Sequence, residues 1–309
     1  MNVKRFFTVT IFFLVTLPHS YAQKELKNIN YQQDKLFSFG IIADVQYADA
    51  DKSGKRDYRN SIYKLEKCLD EFNQHDLAFT ISLGDLIDRD YASFDKPLSI
   101  LERSKAPVHH VIGNHEFSVD DKYKSQVRKR LNNTRGYFHL NEGNFNFIML
   151  DGSDVSIFAH KNNSKAYAQA LLKFKELKEQ GLNNATTWNG GIGKRQIQWL
   201  TRRLEKAERT NRKVVLFCHW PLLPENGTQL WNNREILDHI NSYACVVAWI
   251  SGHHHEGGYH QVGNIHHLTI KGMVEAQSET SCGIMEVYPD KLILNGLGDQ
   301  PDQVIEFLR

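Results

Sequence analysis

The chain has 309 residues, 41% hydrophobic and 24% charged, with a mean hydropathy of −0.49. That composition excludes a disordered, collagen-like, coiled-coil or polytopic membrane chain. Of 38 basic and 36 acidic residues, the two in excess are Lys4 and Arg5, so the rest is balanced and lacks the basic face that a nucleic-acid duplex requires. The unusual count is 15 histidines, because imidazole serves both as metal ligand and as proton carrier near neutral pH.

Lys4 and Arg5 precede an apolar run from Phe6 to Leu17, which Pro18 ends, and Ser20 and Ala22 are small residues at the positions a signal peptidase reads. The run is too short to cross a bilayer of ~30 Å. Residues 1–22 therefore read as a signal peptide cleaved after Ala22, and the mature chain as an exported protein, periplasmic or secreted, with no membrane span left. Residues 23–309 form one catalytic domain in this reading. Cys68, Cys218, Cys245 and Cys282 are too few for a disulfide scaffold in a chain of this length. Cys218 and Cys245 lie in apolar runs and read as buried free thiols.

In chain order, Phe37–Ala43 reads as a buried strand and Asn60–Phe72 as a helix, with apolar residues at Ile62, Leu65, Leu69 and Phe72. A strand follows at Phe79–Leu83, a helix at Phe94–Ser104 and a strand at Val108–Ile112. Tyr137–Leu140 and Phe145–Leu150 form a strand pair. The polar stretch Asp151–Gly193, with a helix over Lys165–Gln180, reads as an insertion over one end of the fold. A helix over Lys194–Arg209, a strand over Lys213–Cys218, a helix over Arg234–Ile240 and a strand over Cys245–Ile250 follow. Gly283–Val287 and Leu292–Leu294 make a late hairpin. Alternating elements followed by locally paired strands predict an α/β fold of two packed mixed sheets flanked by helices.

Ligand-type residues recur just past these strands. Asp44 and Gln46 follow the first, Gly84-Asp85-Leu-Ile-Asp88 the second, and Gly113-Asn114-His115-Glu116 the third. Cys218-His219-Trp220-Pro221 and Ser251-Gly252-His253-His254-His255 follow later ones. Glycines at 84, 113 and 252 are expected to let the backbone turn sharply into these positions. Singly, each block is also what a turn or cap residue looks like. Five blocks in order at the strand ends, where open α/β folds place their sites, point to a metal centre. Mixed oxygen and nitrogen donors without thiolate suit manganese, iron or zinc, and the amide oxygens of Gln46 and Asn114 favour manganese. His253 and His255 are expected to share a face as i and i+2 of an extended segment, with His254 turned away.

The order and spacing resemble the calcineurin-like metallophosphoesterases, with Gln46 where most of that family has His. Gln46, the Val108–Glu116 and Gly252–Tyr259 segments, Asn189-Gly190-Gly191 and Val287–Lys291 resemble the manganese-dependent ADP-ribose/CDP-alcohol diphosphatases in particular. The resemblance implies an αββα sandwich with two divalent ions, one held by Asp44, Gln46, Asp85 and His255, the other by Asp85, Asn114, His219 and His253. It further implies hydrolysis of a diphosphate bond by a hydroxide generated at the metals, with His115 as proton donor or phosphate contact. Asp88 and Glu116 would orient ligands from outside.

On the substrate side, Asn189, Gly190 and Gly191 are expected to form a flexible turn at the rim. Tyr259, Trp220 and Tyr47 are candidates to stack a base, and Arg59 to meet a phosphate or ribose. The partner expected is a small nucleotide. A phosphomonoesterase or cyclic-nucleotide phosphodiesterase is the alternative on the same scaffold, and a non-enzymatic exported metal-binding protein a further one.

Overall fold

The computed structural model describes residues 34–307; the expected signal peptide lies outside them. Two six-stranded sheets face each other. The first has the order β12-β11-β10-β1-β2-β3, with β1 (Phe37–Ile42), β2 (Thr80–Ser82), β3 (Val108–His110), β10 (Ser281–Val287), β11 (Lys291–Gly298) and β12 (Gln303–Glu306). The second has the order β4-β5-β6-β7-β9-β8, with β4 (Phe138–Glu142), β5 (Phe145–Met149), β6 (Lys213–Phe217), β7 (Val246–Ser251), β8 (Gly258–Val262) and β9 (Ile265–Thr269). The strands that carry ligand blocks, β1 to β3 and then β6 and β7, run parallel within each sheet, so their carboxyl ends share one edge.

Alternation along β1 shows why the sheets pack this way. Phe39 and Ile41 face the space between the sheets, and Ile42 faces the helices outside the first sheet. In the middle layer Phe39 stacks on Phe79 at 4.9 Å and meets Phe147 edge-on at 5.5 Å and Phe217 at 6.0 Å. Each such side chain contributes ~1.5–3 kcal/mol by leaving water, and the interlock fixes how the two sets of strand ends oppose each other.

Outside the first sheet lie α1 (Ser61–Phe72) and α2 (Asp95–Leu101), with the short helices α3 (Asp121–Lys124) and α4 (Val127–Arg130) nearby in the chain. Phe72 of α1 rests on Gly40, where an added Cβ would come within 2.5 Å of the ring. Cys68 of α1 forms a disulfide with Cys282 of β10, 214 residues away, a bridge the sequence did not reveal. Cys218 is a buried free thiol as expected, whereas Cys245 is only half-buried. Outside the second sheet, α6 (Lys194–Arg209) and α7 (Asn233–Asn241) pack Leu200, Leu204, Ile236 and Ile240 against it. The insertion carries α5 (Lys165–Glu179), whose N-cap Ser164 accepts from the Tyr167 amide.

The expected two-sheet α/β architecture is the one observed. Three strands go beyond the expectation: β8, β9 and β12. The first two join at Gly263-Asn264, a two-residue turn signal whose strands carry polar His260, Gln261, His266 and His267.

Candidate metal centre

β2 and β3 are three residues each, so the chain leaves the sheet early and turns into its ligand loops. Gly84 has φ +98, the left-handed backbone that favours glycine. Gly113 and Gly252 have ordinary φ and are needed for close approach. An added Cβ would lie 2.2 Å from Asp85 Oδ1 at Gly113, and 2.5 Å from Asp44 Oδ2 at Gly252.

Seven non-glycine residues among those described have positive φ, and four of them are candidate ligands: Asp44 (+51), Gln46 (+44), Asp85 (+53) and His253 (+66). The other three are asparagines, which tolerate this region. Such backbone persists where the surroundings enforce it, and it clusters at functional sites.

All seven sequence-predicted ligands converge. His219 Nε2 lies 3.2 Å from Asp85 Oδ2 and 3.1 Å from His253 Nδ1, and the ligand atoms of Asp85, His219 and His253 fall within 4.8 Å of one another. On the other side His255 Nε2 lies 3.4 Å from Asp44 Oδ1, and the Gln46 amide sits between Asp85 Oδ2 (3.2 Å) and His255 Nε2 (3.1 Å). Asn114 Oδ1 is buried and makes no hydrogen bond, and neither does Gln46 Oε1, although it is the Gln46 amide nitrogen that meets Asp85 and His255. Unpartnered buried oxygens are costly in a protein and are what a hard divalent cation accepts as ligands, so the donor set fits a metal.

Each imidazole is held through its other nitrogen. His219 Nδ1 faces the Leu83 carbonyl at 2.8 Å, His255 Nδ1 faces Glu275 Oε1 at 2.9 Å, and His253 Nε2 faces Asn189 Oδ1 at 3.0 Å. Glu275 carries no local signal in the sequence. It stands on a loop whose carbonyls at 273, 274 and 276 receive the buried Lys64 ammonium of α1. Burial opposes the charge on Asp85, but His219 and His115 hold its pKa below the ordinary carboxylate value.

His253 and His255 do face the centre together, but not as an extended segment. They lie in a turn, with His253 in left-handed backbone, while His254 points to Asn226. Glu116 is a buried staple whose carboxylate accepts from the amides of Asp85 (2.9 Å), Leu86 (2.6 Å) and Gly113 (2.7 Å), tying two ligand loops together. His115 lies with Nδ1 2.6 Å from Asp88 Oδ1 and Nε2 4.0 Å from Asp85 Oδ2. Burial works against its protonation, yet the carboxylates of Asp85 and Asp88 outweigh this and raise its pKa.

The centre opens into a cleft of about 570 Å³, lined by Gln46, Asp85, Asn114, His115, His253 and His255 at the floor. Arg56, Phe117, Ser118, Phe158, Thr187, Trp188 and Thr228 form its walls. Several substrate-side residues lie elsewhere than expected. Arg59 is turned to the surface and paired with Asp49 (2.7 Å) and Asp51 (2.8 Å). Arg56, placed by the turn at Gly54, lines the cleft instead and reaches Glu275. Tyr259 is on edge strand β8 in a different hollow, its hydroxyl 2.7 Å from His266 Nδ1.

Gly190 and Gly191 are packing positions, not a flexible turn. A Cβ on Gly190 would meet the Gly152 carbonyl at 2.3 Å, and Gly191 pairs with Val155 through two 2.9 Å backbone bonds. Asn189 faces a ligand histidine, not the open cleft. Tyr47 and Trp220 are buried and cannot stack a base. The exposed aromatic at the cleft is Trp188, 52% accessible, on the expected insertion.

An αββα sandwich that gathers carboxylates, amides and imidazoles at one edge defines a metal-dependent hydrolase class. A family model described as calcineurin-like phosphoesterase matches residues 37–257, and the chain belongs to that family. A mouse protein named manganese-dependent ADP-ribose/CDP-alcohol diphosphatase is 31% identical, covering 89% of this chain and 95% of its own length. A rice protein of the same name is 32% identical over 87% of this chain and 94% of its own length. The crystal structure of a dimetal phosphatase from Danio rerio superposes with a TM-score of 0.82 at 26% identity, covering 89% of this chain and all of that one.

Proposed function

We propose that the protein is a manganese-dependent diphosphatase that hydrolyses the phosphoanhydride bond of ADP-ribose or CDP-alcohol type substrates. The observation that carries this is the near full-length match to relatives of that name. Gln46 at the centre, where most of the wider family has histidine, adds to it. Two ions would be held in this reading, one by Asp44, Gln46, Asp85 and His255 and the other by Asp85, Asn114, His219 and His253. Asp85 could serve both because a carboxylate offers two anionic oxygens. Bound divalent ions supply Lewis-acid polarisation of phosphoryl oxygens and a water of lowered pKa.

The chain's own residues do the rest. His115, with Nδ1 held by Asp88, presents Nε2 toward the centre as hydrogen-bond donor to the phosphoryl group or its leaving oxygen. Arg56 supplies a guanidinium on the wall for the second phosphate, a group suited to bidentate contact. Trp188 offers an open aromatic face on the opposite segment.

The test is product release from ADP-ribose, CDP-choline, cyclic AMP and p-nitrophenyl phosphate, each with Mn²⁺ and with Mg²⁺. Nucleoside monophosphate release from the first two, faster with Mn²⁺, is expected. Preference for p-nitrophenyl phosphate or cyclic AMP would favour the phosphomonoesterase or phosphodiesterase alternative.

The protein acts outside the cytosol in this proposal, with residues 1–22 as signal peptide and 23–309 as the mature catalytic domain. The charged start and apolar run support export, and so does the Cys68–Cys282 bridge, since disulfides persist in oxidising compartments. Among the described residues no helix is long and apolar enough to cross a membrane.

A further inference from the structure

Asn189 is fully buried. Its Nδ2 donates to the Asn184 carbonyl at 3.0 Å and to the Gly227 carbonyl at 2.8 Å. Carbonyl oxygens only accept, so the amide nitrogen must face them and the orientation of the carboxamide is fixed by its surroundings. That orientation aims Oδ1 at His253 Nε2, 3.0 Å away. An amide oxygen also only accepts, so Nε2 must carry the hydrogen. A neutral imidazole has one N–H, and Nδ1 is therefore left with its lone pair. Nδ1 is the atom that lies 3.1 Å from His219 Nε2, inside the cluster with Asp85.

The other two histidines are held by a main-chain carbonyl and by a carboxylate. His253 depends on a neutral side chain from the segment that builds the cleft wall, next to Trp188. Its left-handed backbone gives the ring no regular secondary structure to lean on.

We infer that Asn189 is a positioning residue: it fixes the Nε2–H tautomer of His253 and so presents Nδ1 to the metal. The inference rests on the metal centre proposed above. It replaces the role of nucleotide contact that the sequence assigned to Asn189.

The experiment has two arms. Nitrogen-15 spectra of the His253 ring in metal-free wild-type protein near neutral pH report the tautomer directly and need no variant. The Nε2–H form is expected, and an Nδ1–H form or an even mixture would overturn the assignment. In the second arm Mn²⁺ is titrated into Asn189→Ala, with binding read by electron paramagnetic resonance and folding checked by circular dichroism. Loss of a partner to a ligand's far nitrogen weakens metal binding by about 10- to 100-fold, so one site should weaken by that factor and the other stay unchanged. Wild-type affinity at both sites would overturn the inference. Failure of the metal-centre proposal looks different: the wild-type protein itself then takes up no Mn²⁺, and the inference falls with it.

Discussion

Asp88 Oδ1 lies 2.6 Å from Nδ1 of His115, and both belong to loops that follow adjacent parallel strands. The carboxylate holds the ring with Nε2 toward the metal ligands and favours its protonated form. The consequence depends on the leaving group. A departing phosphate has a second pKa of about 6 and leaves without needing a full proton, whereas an alkoxide needs one. His115→Ala should therefore slow cleavage of an alkyl phosphodiester by about 10²–10⁴-fold and cleavage of ADP-ribose by less. Comparing both rates in the one variant cancels any shared loss of binding. Equal losses would make His115 a hydrogen-bond donor and not an acid.

Gln46 places an amide where an imidazole is usual, wedged between Asp85 and His255. Gln46→His should shift metal preference from Mn²⁺ toward zinc or iron, because imidazole is the softer donor. Metal-dependent activity profiles of the two proteins check this. Identical profiles and substrate ranking would leave Gln46 without a special role.

The Cys68–Cys282 bridge ties α1 to the middle of the first sheet. Closing so long a loop stabilises a protein by about 2–5 kcal/mol. Cys68→Ala/Cys282→Ala should lower the urea midpoint accordingly. Protein recovered from its host should begin at or near Gln23 with the bridge closed. A chain beginning at Met1 in the cytosol, with both thiols free, would contradict export.

Two buried histidines away from the centre predict acid sensitivity. Burial, and behind it a neighbouring histidine, lowers the pKa of His110 to about 4, and burial does the same for His267. Neither His267 nitrogen has a hydrogen-bond partner. The unfolded chain, with pKa about 6.5, binds protons that the folded chain refuses. Stability is therefore full above pH 6.5 and falls as pH drops toward 4, by on the order of 3 kcal/mol per residue at most. His267→Leu, beside Trp249 in the sheet register, should flatten the urea midpoint between these limits. An unchanged slope would show that His267 does not titrate in this way.

The polar blocks of the candidate centre were legible because each follows its strand within a few residues, so that local spacing carries the signal, while the choice of ligands within them came from the resemblance to the metallophosphoesterases. Helix α6 was legible to the residue, its apolar positions falling cleanly on one face. What escaped depends on distant contacts. Cys68 and Cys282 meet only in the folded sheet. Glu275 reaches His255 across a loop held by Lys64. Arg56 and Arg59 look equivalent in sequence, and only the turn at Gly54 decides which one faces the cleft. His253 and His255 were placed correctly for a wrong reason, since a turn and not a strand brings them together.

In the proposed centre Asp85 would be the ligand common to two metal ions. The measurement that tests this most directly is Mn²⁺ bound per chain, by elemental analysis after equilibrium dialysis, in the wild type and in Asp85→Asn. Asn lacks the charge and the second anionic oxygen that a bridge between dications requires. Two ions in the wild type, fewer than two in Asp85→Asn, and loss of turnover with them are expected. Two ions retained in Asp85→Asn, or undiminished ADP-ribose hydrolysis by metal-stripped wild type in chelator, would contradict the proposed centre.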